Sequence, residues 1–354
     1  MMKIAITADV HLTSYEKHPE RFNALKNILD QLVDQNIDKL IIAGDLFDAS
    51  CDNPGEFEKL VGQEKYNHMI IYIIPGNHDP ALSSGSFALS NIRYLTEPES
   101  IAFTEDVLFL FLPYKPKTSI GETLVAHQDS ISGKNWALVS HGDYLSSTTL
   151  RNDYEEGVYM PLSRRDIELY QPVKVFLGHI HLPYTMDKLY YPGSPCGLDI
   201  TETGIRTFLI YDTFSNTVVR QPVKTDVIYF QERLTVLPVE NEVDFIRNKL
   251  SALISGWRVE ERHKKLLKVR IFAHGYSANR EVVGKTIIDY LQQENINLVE
   301  PPDLSKLKIS TDLTRADIIL AVQERLASLE LPDGFDDPVL DDYILSSMNQ
   351  VYGG

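Results

Sequence analysis

Short clusters of Asp, His and Asn residues recur between residues 9 and 181 of the sequence. The five clusters are Asp9-Val10-His11, Gly44-Asp45-Leu46-Phe47-Asp48, Gly76-Asn77-His78-Asp79, His141-Gly142-Asp143 and Gly178-His179-Ile180-His181. Imidazole and carboxylate together favour Mn, Fe or Zn, and a carboxylate can bridge two ions. Two ions about 3.5–4 Å apart can share a hydroxide that attacks phosphorus while both stabilise the developing charge. The residue types therefore predict a two-metal centre that hydrolyses phosphate esters.

Each cluster directly follows a short apolar run, which predicts a buried strand. The runs are Lys3–Ala8, Lys39–Ala43, Met69–Ile74, Trp136–Val139 and Val173–Leu177, and helical spacing occurs at Phe22–Gln35. In layered α/β folds the carboxyl ends of strands lie side by side at one edge of the sheet. Any single cluster is also compatible with an ordinary polar turn, but five in the same structural position are expected to converge on one site.

Composition excludes several other classes of protein. The chain has 354 residues, of which 43% are hydrophobic and 24% charged, as expected for a globular protein with more than one domain. No apolar run approaches about 18 residues, so we expect no membrane span. Cys51 and Cys196 are too few for a disulfide framework and form no metal-binding pair, which favours a cytoplasmic location. No Ser-His-Asp or Cys-His arrangement and no phosphate-binding G-x-x-x-x-G-K loop competes with the metal centre.

The formal net charge of −16 argues against a protein whose whole surface binds nucleic acid. Residues 258–285 are a local exception, with eight Lys and Arg residues against three Glu. This run is either a solvated surface or a region that contacts the DNA backbone and orients the strand over the metals. His18 with Arg21, and Arg164 with Arg165, are weaker candidates for a phosphate contact, with ordinary surface roles as the alternative.

Together the motifs resemble the calcineurin-like metallophosphoesterase superfamily, and within it the SbcD / Mre-eleven family of DNA-repair nucleases. The likeness rests on the first two clusters and on Val139-Ser140-His141, Leu177-Gly178-His179-Ile180-His181 and Tyr191-Pro192-Gly193-Ser194-Pro195. It covers residues 1–215, whereas over residues 221–300 only the layout of a capping domain is similar.

The resemblance implies a role for each residue of the site. The implied metal ligands are Asp9, His11 and His181 for one ion, Asn77, His141 and His179 for the other, and Asp45 as the bridge between them. His78 is left without a metal, where it protonates the leaving oxygen or steadies the scissile phosphate. Asp48 occupies a position where many archaeal and eukaryotic relatives have a His that assists exonuclease action. Asp79 and Asp143 are expected to orient nearby imidazoles. The family works with manganese, so two Mn²⁺ ions are expected.

Pattern and resemblance together predict an α/β fold with three parts. Residues 1–215 are expected to form a layered β-sandwich metallophosphoesterase core flanked by helices. Residues 216–300 are expected to form a smaller α+β capping domain that recognises DNA, and residues 301–354 a helical tail. Helices at Thr314–Leu329 and near Tyr343–Val351 either pack on the core or, as the resemblance implies, attach to the coiled-coil root of an SMC-like ABC ATPase of the SbcC type.

The resemblance implies a metal-dependent DNA nuclease with 3′–5′ exonuclease and single-strand endonuclease activity in DNA repair, working as a homodimer. A small-nucleotide phosphodiesterase or a phosphoprotein phosphatase is the rival, because the core motifs do not distinguish these substrates. A third hypothesis is a non-catalytic assembly subunit for an ATPase. The intact set of predicted ligands argues against that third hypothesis.

Overall fold

The structure, a computed structural model, describes residues 2–51, 54–79, 81–105, 107–145 and 157–310, together with eight single helical positions in the tail. It contains two compact units. The first comprises Met1–Leu198 and Ile205–Val227, and the second comprises Asp199–Gly204 and Ile228–Gly354. None of the helices in these described ranges is long and apolar enough to cross a membrane.

Two six-stranded sheets form most of the first unit. Its strands are β1 (Lys3–Thr7), β2 (Lys39–Ala43), β3 (Ile70–Ile74), β4 (Ile92–Tyr94), β5 (Glu99–Ala102), β6 (Leu108–Leu112), β7 (Trp136–His141), β8 (Tyr144–Leu145), β9 (Leu162–Ser163), β10 (Lys174–Gly178), β11 (Tyr184–Met186), β12 (Leu189–Tyr191), β13 (Thr207–Asp212) and β14 (Thr217–Pro222). The sheet orders are β14-β13-β1-β2-β3-β4 and β11-β12-β10-β7-β6-β5, and β8 pairs separately with β9. Within these sheets β1, β2, β3 and β4 run parallel, as do β6, β7 and β10.

The first unit also contains five α-helices among its described residues. They are α1 (Pro19–Asp34), α2 (Gly55–Val61), α3 (Ile120–Ala126), α4 (Gln128–Ile131) and α5 (Arg164–Tyr170), with 3-10 turns at Glu64–Tyr66 and Ser84–Ser86. Helix α1 begins at Pro19, whose fixed φ suits the first helical position. Its apolar residues recur every three to four positions and bury one side of the helix, as the sequence predicts.

The two sheets face each other across one apolar core. Ile6, Ile41 and Ile74 of the first sheet pack in the same buried cluster as Phe111 and Val139 of the second sheet. The opposite face of the second sheet is covered by α3 and neighbouring segments in a further cluster. The strands are therefore buried on both faces, which explains why they are continuous apolar runs. The predicted layered α/β sandwich is confirmed.

Over residues 228–310, the second unit is a four-stranded sheet with two helices. Its elements are β15 (Ile228–Val236), α6 (Glu242–Gly256), a 3-10 turn (Glu261–Leu266), β16 (Leu267–Ser277), α7 (Arg280–Gln293), β17 (Asn297–Leu298) and β18 (Asp303–Ile309). Strand β16 pairs in parallel with all three others. Apolar residues of both helices, such as Ile246 and Ile287, pack on the sheet in one cluster with Val269 and Ile271.

The two compact units have other bounds than the predicted domains. The first unit extends past residue 215 to Val227, because β14 forms a hairpin with β13 that continues the first sheet. The second unit extends past residue 300, because β18 pairs with β16 directly after Pro301 and Pro302. Those prolines lie in the loop before a strand and do not end the domain. Most of the predicted helices Thr314–Leu329 and Tyr343–Val351 lies outside the described residues.

Asp30 of α1 connects this helix to the turn at Glu64–Tyr66. Its carboxylate accepts hydrogen bonds from Lys26 Nζ and Tyr66 Oη, each at 2.6 Å, and from Lys65 Nζ. Partial burial opposes ionisation of Asp30, but these donors outweigh it and lower the pKa of Asp30 to about 2. The contact therefore stabilises the fold while Asp30 is charged.

The Asp30→Asn variant is expected to be less stable at pH 7 by at most about 1 kcal/mol, since the group is partly exposed. The folded pKa lies below the unfolded one, so this stabilisation is complete above about pH 4 and is lost as the pH falls towards 2. Thermal unfolding at pH 7, 5, 4 and 3 should show a difference in Tm that narrows below pH 4. Asp38→Asn, at an exposed residue, is the control, and a difference that stays constant with pH would contradict the assignment.

Candidate metal centre

The carboxyl ends of five strands bring the predicted residues together in the first unit. Strands β1, β2 and β3 supply them from the first sheet, and β7 and β10 from the second sheet. Main-chain hydrogen bonds connect the loops after β1 and β2, from Asp9 N to Gly44 O at 3.1 Å and from His11 N to Asp45 O at 3.0 Å. The buried members of the set are Asp9, His11, Asp45, His141, His179 and His181. Asn77 and His78 are half-buried.

Four of these residues have a left-handed backbone. The φ angles are 53° at Asp9, 49° at His11, 50° at Asp45 and 97° at His179. Such conformations in residues other than glycine cost on the order of 1–3 kcal/mol each and persist only where the surrounding structure imposes them. The loops after β1, β2 and β10 therefore hold their side chains in fixed directions at an energetic cost.

Asp9, His11 and His181 form the first cation group. One ligand atom from each lies within 4.8 Å of the others. The Nε2 atoms of His11 and His181 are 3.1 Å apart. Two imidazole nitrogens and a carboxylate oxygen at this separation are a donor set for a borderline divalent ion.

Asp9, Asp45 and His141 form the second cation group by the same distance criterion, so Asp9 belongs to both groups. Asp45 Oδ2 lies 3.3 Å from His141 Nε2 and 3.6 Å from His11 Nε2, between the histidines of the two groups. Asn77 Oδ1 extends the second group, since it lies 2.9 Å from His141 Nε2 and 3.1 Å from His179 Nδ1. All seven predicted ligands thus lie close together, and the His179 ring contacts this set through Asn77 Oδ1.

Two buried carboxylate oxygens test whether the site fits metal ions. Asp9 Oδ1 accepts a hydrogen bond from His179 N at 2.8 Å, and Asp45 Oδ1 accepts one from His78 N at 2.9 Å. The second oxygens, Asp9 Oδ2 and Asp45 Oδ2, are buried without a hydrogen-bond partner in the described part of the chain. A buried polar atom without a partner is costly unless a cation satisfies it. The donor set and these two oxygens fit two divalent ions.

The family profile described as calcineurin-like phosphoesterase matches residues 2–214 of this sequence. The chain belongs to this family. The match covers the first unit up to the β13–β14 hairpin and includes every residue of the two cation groups. The protein is therefore a metal-dependent phosphoester hydrolase by family.

Three solved structures are similar to this phosphoesterase at low identity. An archaeal phosphodiesterase has a TM-score of 0.34 and 15% identity, over 63% of this chain and 100% of its own. A dimetal phosphatase from Danio rerio has a TM-score of 0.43 and 9% identity, over 63% and 96%. A hypothetical protein from Pyrococcus horikoshii OT3 has a TM-score of 0.34 and 11% identity, over 80% and 96%. These scores are too low to inform substrate choice.

Burial and neighbouring charges shift the pKa values of the titratable groups in the phosphoesterase site. Burial lowers the pKa of His11 to about 3, so its imidazole is neutral at pH 7. Burial also raises the pKa of Asp9 to about 6. Burial opposes ionisation of Asp45, but His141 and His11 outweigh it and hold the pKa of Asp45 below its usual value.

His141 is oriented by the main chain. Its Nδ1 donates to Ala43 O at 3.0 Å, which leaves Nε2 facing Asp45 and Asn77. Burial disfavours the protonated ring, but the carboxylates of Asp45 and Asp9 outweigh burial and raise the pKa of His141 to about 10. A histidine binds metal only when neutral, so metal uptake is expected to release this proton and to strengthen as pH rises.

Two further aspartates support the site in different ways. Asp143 Oδ1 lies 3.6 Å from His179 Nε2, so Asp143 is next to this imidazole and its orienting role stays a prediction. The same expectation for Asp79 is wrong, because its carboxylate accepts hydrogen bonds from Phe47 N at 2.7 Å and Gly76 N at 2.8 Å. Asp79 therefore holds the loops after β2 and β3 together through their main chains.

The two residues predicted to be catalytic lie beside the cation groups. The His78 ring is 5.1 Å from the His11 ring between centroids. Asp48 Oδ1 accepts hydrogen bonds from Ser50 N at 2.8 Å and Ser50 Oγ at 2.6 Å. Burial opposes ionisation of Asp48, but the bonds from Ser50 outweigh it and lower the pKa of Asp48. The NH of Asp48 donates to Leu12 O at 3.0 Å, next to His11. Both residues are thus near the first cation group, while their catalytic roles stay predictions.

The proposed phosphate contact of Arg21 is wrong. Arg21 is buried, and its Nη1 donates to His11 O at 2.6 Å. The guanidinium of Arg206 is also buried and contacts His181 O, a contact for which the sequence has no motif. His18 Nδ1 lies 2.8 Å from a carboxylate oxygen of Glu20. Arg21 and Arg206 thus donate hydrogen bonds to main-chain oxygens of the loops that carry the metal-site histidines.

A methyl group at Gly44 is expected to disrupt the second cation group. Gly44 has a φ of +90°, and a Cβ there would lie 2.1 Å from His141 Nδ1. The Gly44→Ala variant should therefore displace His141 and weaken metal binding by about 10- to 100-fold. Metal content after dialysis, measured by mass spectrometry, tests this directly.

Gly133→Ala is the matched control for that variant. Gly133 has a φ of +68°, and no atom of the described chain lies within 4 Å of its hypothetical Cβ. The Gly133→Ala variant therefore has the backbone strain of a left-handed alanine but no steric clash of its Cβ with a neighbouring side chain. Equal loss of metal in both variants would show that strain, and not the contact with His141, is responsible.

Proposed function

We propose that this phosphoesterase is a metal-dependent DNA nuclease with 3′–5′ exonuclease and single-strand endonuclease activity in DNA repair. The observation that supports phosphodiester hydrolysis is the pair of buried cation groups that share Asp9. DNA as the substrate rests on the resemblance of the motifs to SbcD / Mre-eleven nucleases and on the chemistry of the second unit.

In this proposal the chain holds two divalent ions, manganese by resemblance, with the ligands assigned from the sequence and Asp45 between them. When bound, the ions supply Lewis-acid polarisation of the phosphate and activation of the attacking water. His78 protonates the leaving oxygen or steadies the scissile phosphate, since its ring is beside the first group and its main chain is fixed to Asp45. Asp48 assists the exonuclease reaction from the loop after β2.

The basic run at 258–285 is only partly available for DNA. Within it, Arg262 pairs with Glu260 at 2.6 Å, and Lys264 pairs with Glu261 at 2.9 Å. A third acid, Glu300, pairs with Arg270 at 2.6 Å. These acids neutralise part of the positive charge that the sequence suggests, so the run does not form a uniform cationic face.

A cavity of about 330 Å³ in the second unit offers a better combination of groups. Its lining includes Arg233, Phe272, His274 and Lys306 of strands β15, β16 and β18. Cationic side chains beside an aromatic ring suit the phosphates and bases of a single strand. We propose that DNA contacts the second unit there.

Three further expectations belong to the same proposal. They are association with an SMC-like ABC ATPase of the SbcC type, assembly as a homodimer, and a cytoplasmic location. The tail expected to bind the ATPase is described only at single positions from Asp317 to Ser347. Both cysteines, Cys51 and Cys196, are thiols, which accords with a reducing compartment.

The proposal is tested by incubating the purified full chain with Mn²⁺ and four substrates. These are circular single-stranded DNA, a linear duplex labelled at its 5′ ends, a chromogenic phosphodiester and a phosphopeptide. The nuclease is expected to linearise the circle and to shorten the duplex from its 3′ ends. Turnover of the chromogenic ester or phosphopeptide with both DNAs intact would overturn the nuclease and favour the rival phosphoesterase. The Asp45→Asn variant, purified in parallel, controls for contaminating nuclease.

A further inference from the structure

We infer that two buried arginines outside the motifs, Arg21 and Arg206, are positioning residues for the first cation group. Each donates to the main-chain carbonyl of one histidine of that group, His11 or His181. The inference rests on the proposed use of this group to hold a cation, but not on DNA as the substrate.

Arg21 restrains the loop after β1. It lies in the first turn of α1, is 8% exposed, and donates from Nη1 to His11 O at 2.6 Å. The main-chain NH of His11 donates in turn to Asp45 O at 3.0 Å. The main-chain NH and carbonyl of His11 are therefore both hydrogen-bonded, which limits the positions that its imidazole can take.

Arg206 restrains the loop after β10. It is 2% exposed and directly precedes β13. Its Nη2 donates to His181 O and, at 2.7 Å, to Ser194 Oγ, while its Nε donates to Ser194 O at 2.9 Å. Ser194 N also donates to His181 O at 3.1 Å. One guanidinium therefore joins the His181 carbonyl to the turn that contains Ser194.

Electrostatics alone does not favour these arginines. A positive charge near a cation site repels the ion, and burying a guanidinium costs solvation energy. Both arginines contact main-chain oxygens, so they set the position of each histidine without occupying its ring nitrogens. A planar fork of several donors does this better than the single ammonium of lysine. The contribution that explains both residues is geometric.

The positions of the His11 and His181 imidazoles matter because the ligand atoms of the first cation group lie close together. His11 Nε2 and His181 Nε2 lie 3.1 Å apart, on loops that follow strands of different sheets. Nothing in β1 or β10 themselves fixes this separation, because each histidine lies beyond its strand. The two arginines anchor these loops to α1 and to the start of β13. Loss of either anchor is therefore expected to weaken this group and to spare the second group.

The test compares Arg206→Met, Arg206→Lys and Arg21→Met with the wild-type full chain. Mn²⁺ binding is titrated by calorimetry, and the bound ions are examined by electron paramagnetic resonance. Each variant is expected to bind the ion of the first cation group 10- to 100-fold less tightly. It should show the spectrum of isolated Mn²⁺ at concentrations where the wild type shows a coupled pair. Arg206→Lys should show the smaller loss.

Arg220→Met is the matched control. Arg220 lies on β14 and donates to main-chain oxygens of Tyr184 at 2.6 Å, Tyr191 at 3.0 Å and Pro192 at 3.3 Å. None of these acceptors belongs to a cation group, so this variant should lose stability but keep the coupled pair. Thermal unfolding of all metal-free variants separates loss of fold from loss of the ion.

Retention of the coupled pair by folded Arg21 and Arg206 variants overturns the inference, as does a loss of the pair in Arg220→Met. A wild-type chain that never binds a second ion overturns it too. Loss of the pair in the arginine variants, in a chain that leaves DNA intact, overturns only the proposed nuclease function. The two proposals therefore fail separately.

Discussion

The Asp45→Asn variant is expected to lose phosphoesterase activity by at least about a thousandfold. Asp45 Oδ2 lies between His11 Nε2 and His141 Nε2, so its charge serves both cation groups. The amide keeps the shape of the side chain and its Oδ1 can still accept from His78 N. The variant therefore removes charge from the site with little change of volume.

The measurement is turnover of a chromogenic phosphodiester with saturating Mn²⁺, together with metal content after dialysis. Both activity and bound metal should fall. Asp38→Asn, at an exposed acid that pairs with Lys39, controls for the loss of one negative charge. Activity in Asp45→Asn above a tenth of the wild-type value would show that Asp45 does not connect the two groups.

The His78→Ala variant is expected to lose about 10²- to 10⁴-fold in kcat on DNA while it keeps both ions. His78 is not a member of either cation group, and its contact with Asp45 comes from the main chain, which alanine retains. Metal content should therefore match the wild type. This separates His78 from the ligands, whose removal lowers activity and metal together.

Leaving groups of different basicity distinguish the two roles proposed for His78. A general acid matters most when the departing alkoxide is a strong base, as in DNA, and least for a nitrophenolate. The loss in His78→Ala should therefore be large on DNA and small on the nitrophenyl diester. An equal loss on both would assign His78 to steadying the phosphate instead. His68→Ala, at an exposed histidine, is the control.

The residues of the two cation groups, and their place at the strand ends, were predictable from the sequence. Polar clusters directly after apolar runs carry a local signal, since buried strands are continuous apolar segments and their carboxyl ends converge. The strand predicted at Lys39–Ala43 has the same bounds in the structure, and those at Met69–Ile74 and Val173–Leu177 differ by one residue. The family profile agrees with the resemblance at the level of calcineurin-like phosphoesterases.

The contacts that hold the metal-site loops could not be predicted from the sequence. Asp and His adopt positive φ more readily than most residues, but residue type alone does not predict the left-handed backbones at Asp9, His11 and His179. Arg21 looked like a surface cation, and Arg206 belongs to no motif, yet both are buried against histidine carbonyls. Long-range pairing likewise placed β14 in the first sheet and β18 in the second unit. Residue patterns report local burial and chemistry, whereas contacts between distant segments exist only once the chain has folded.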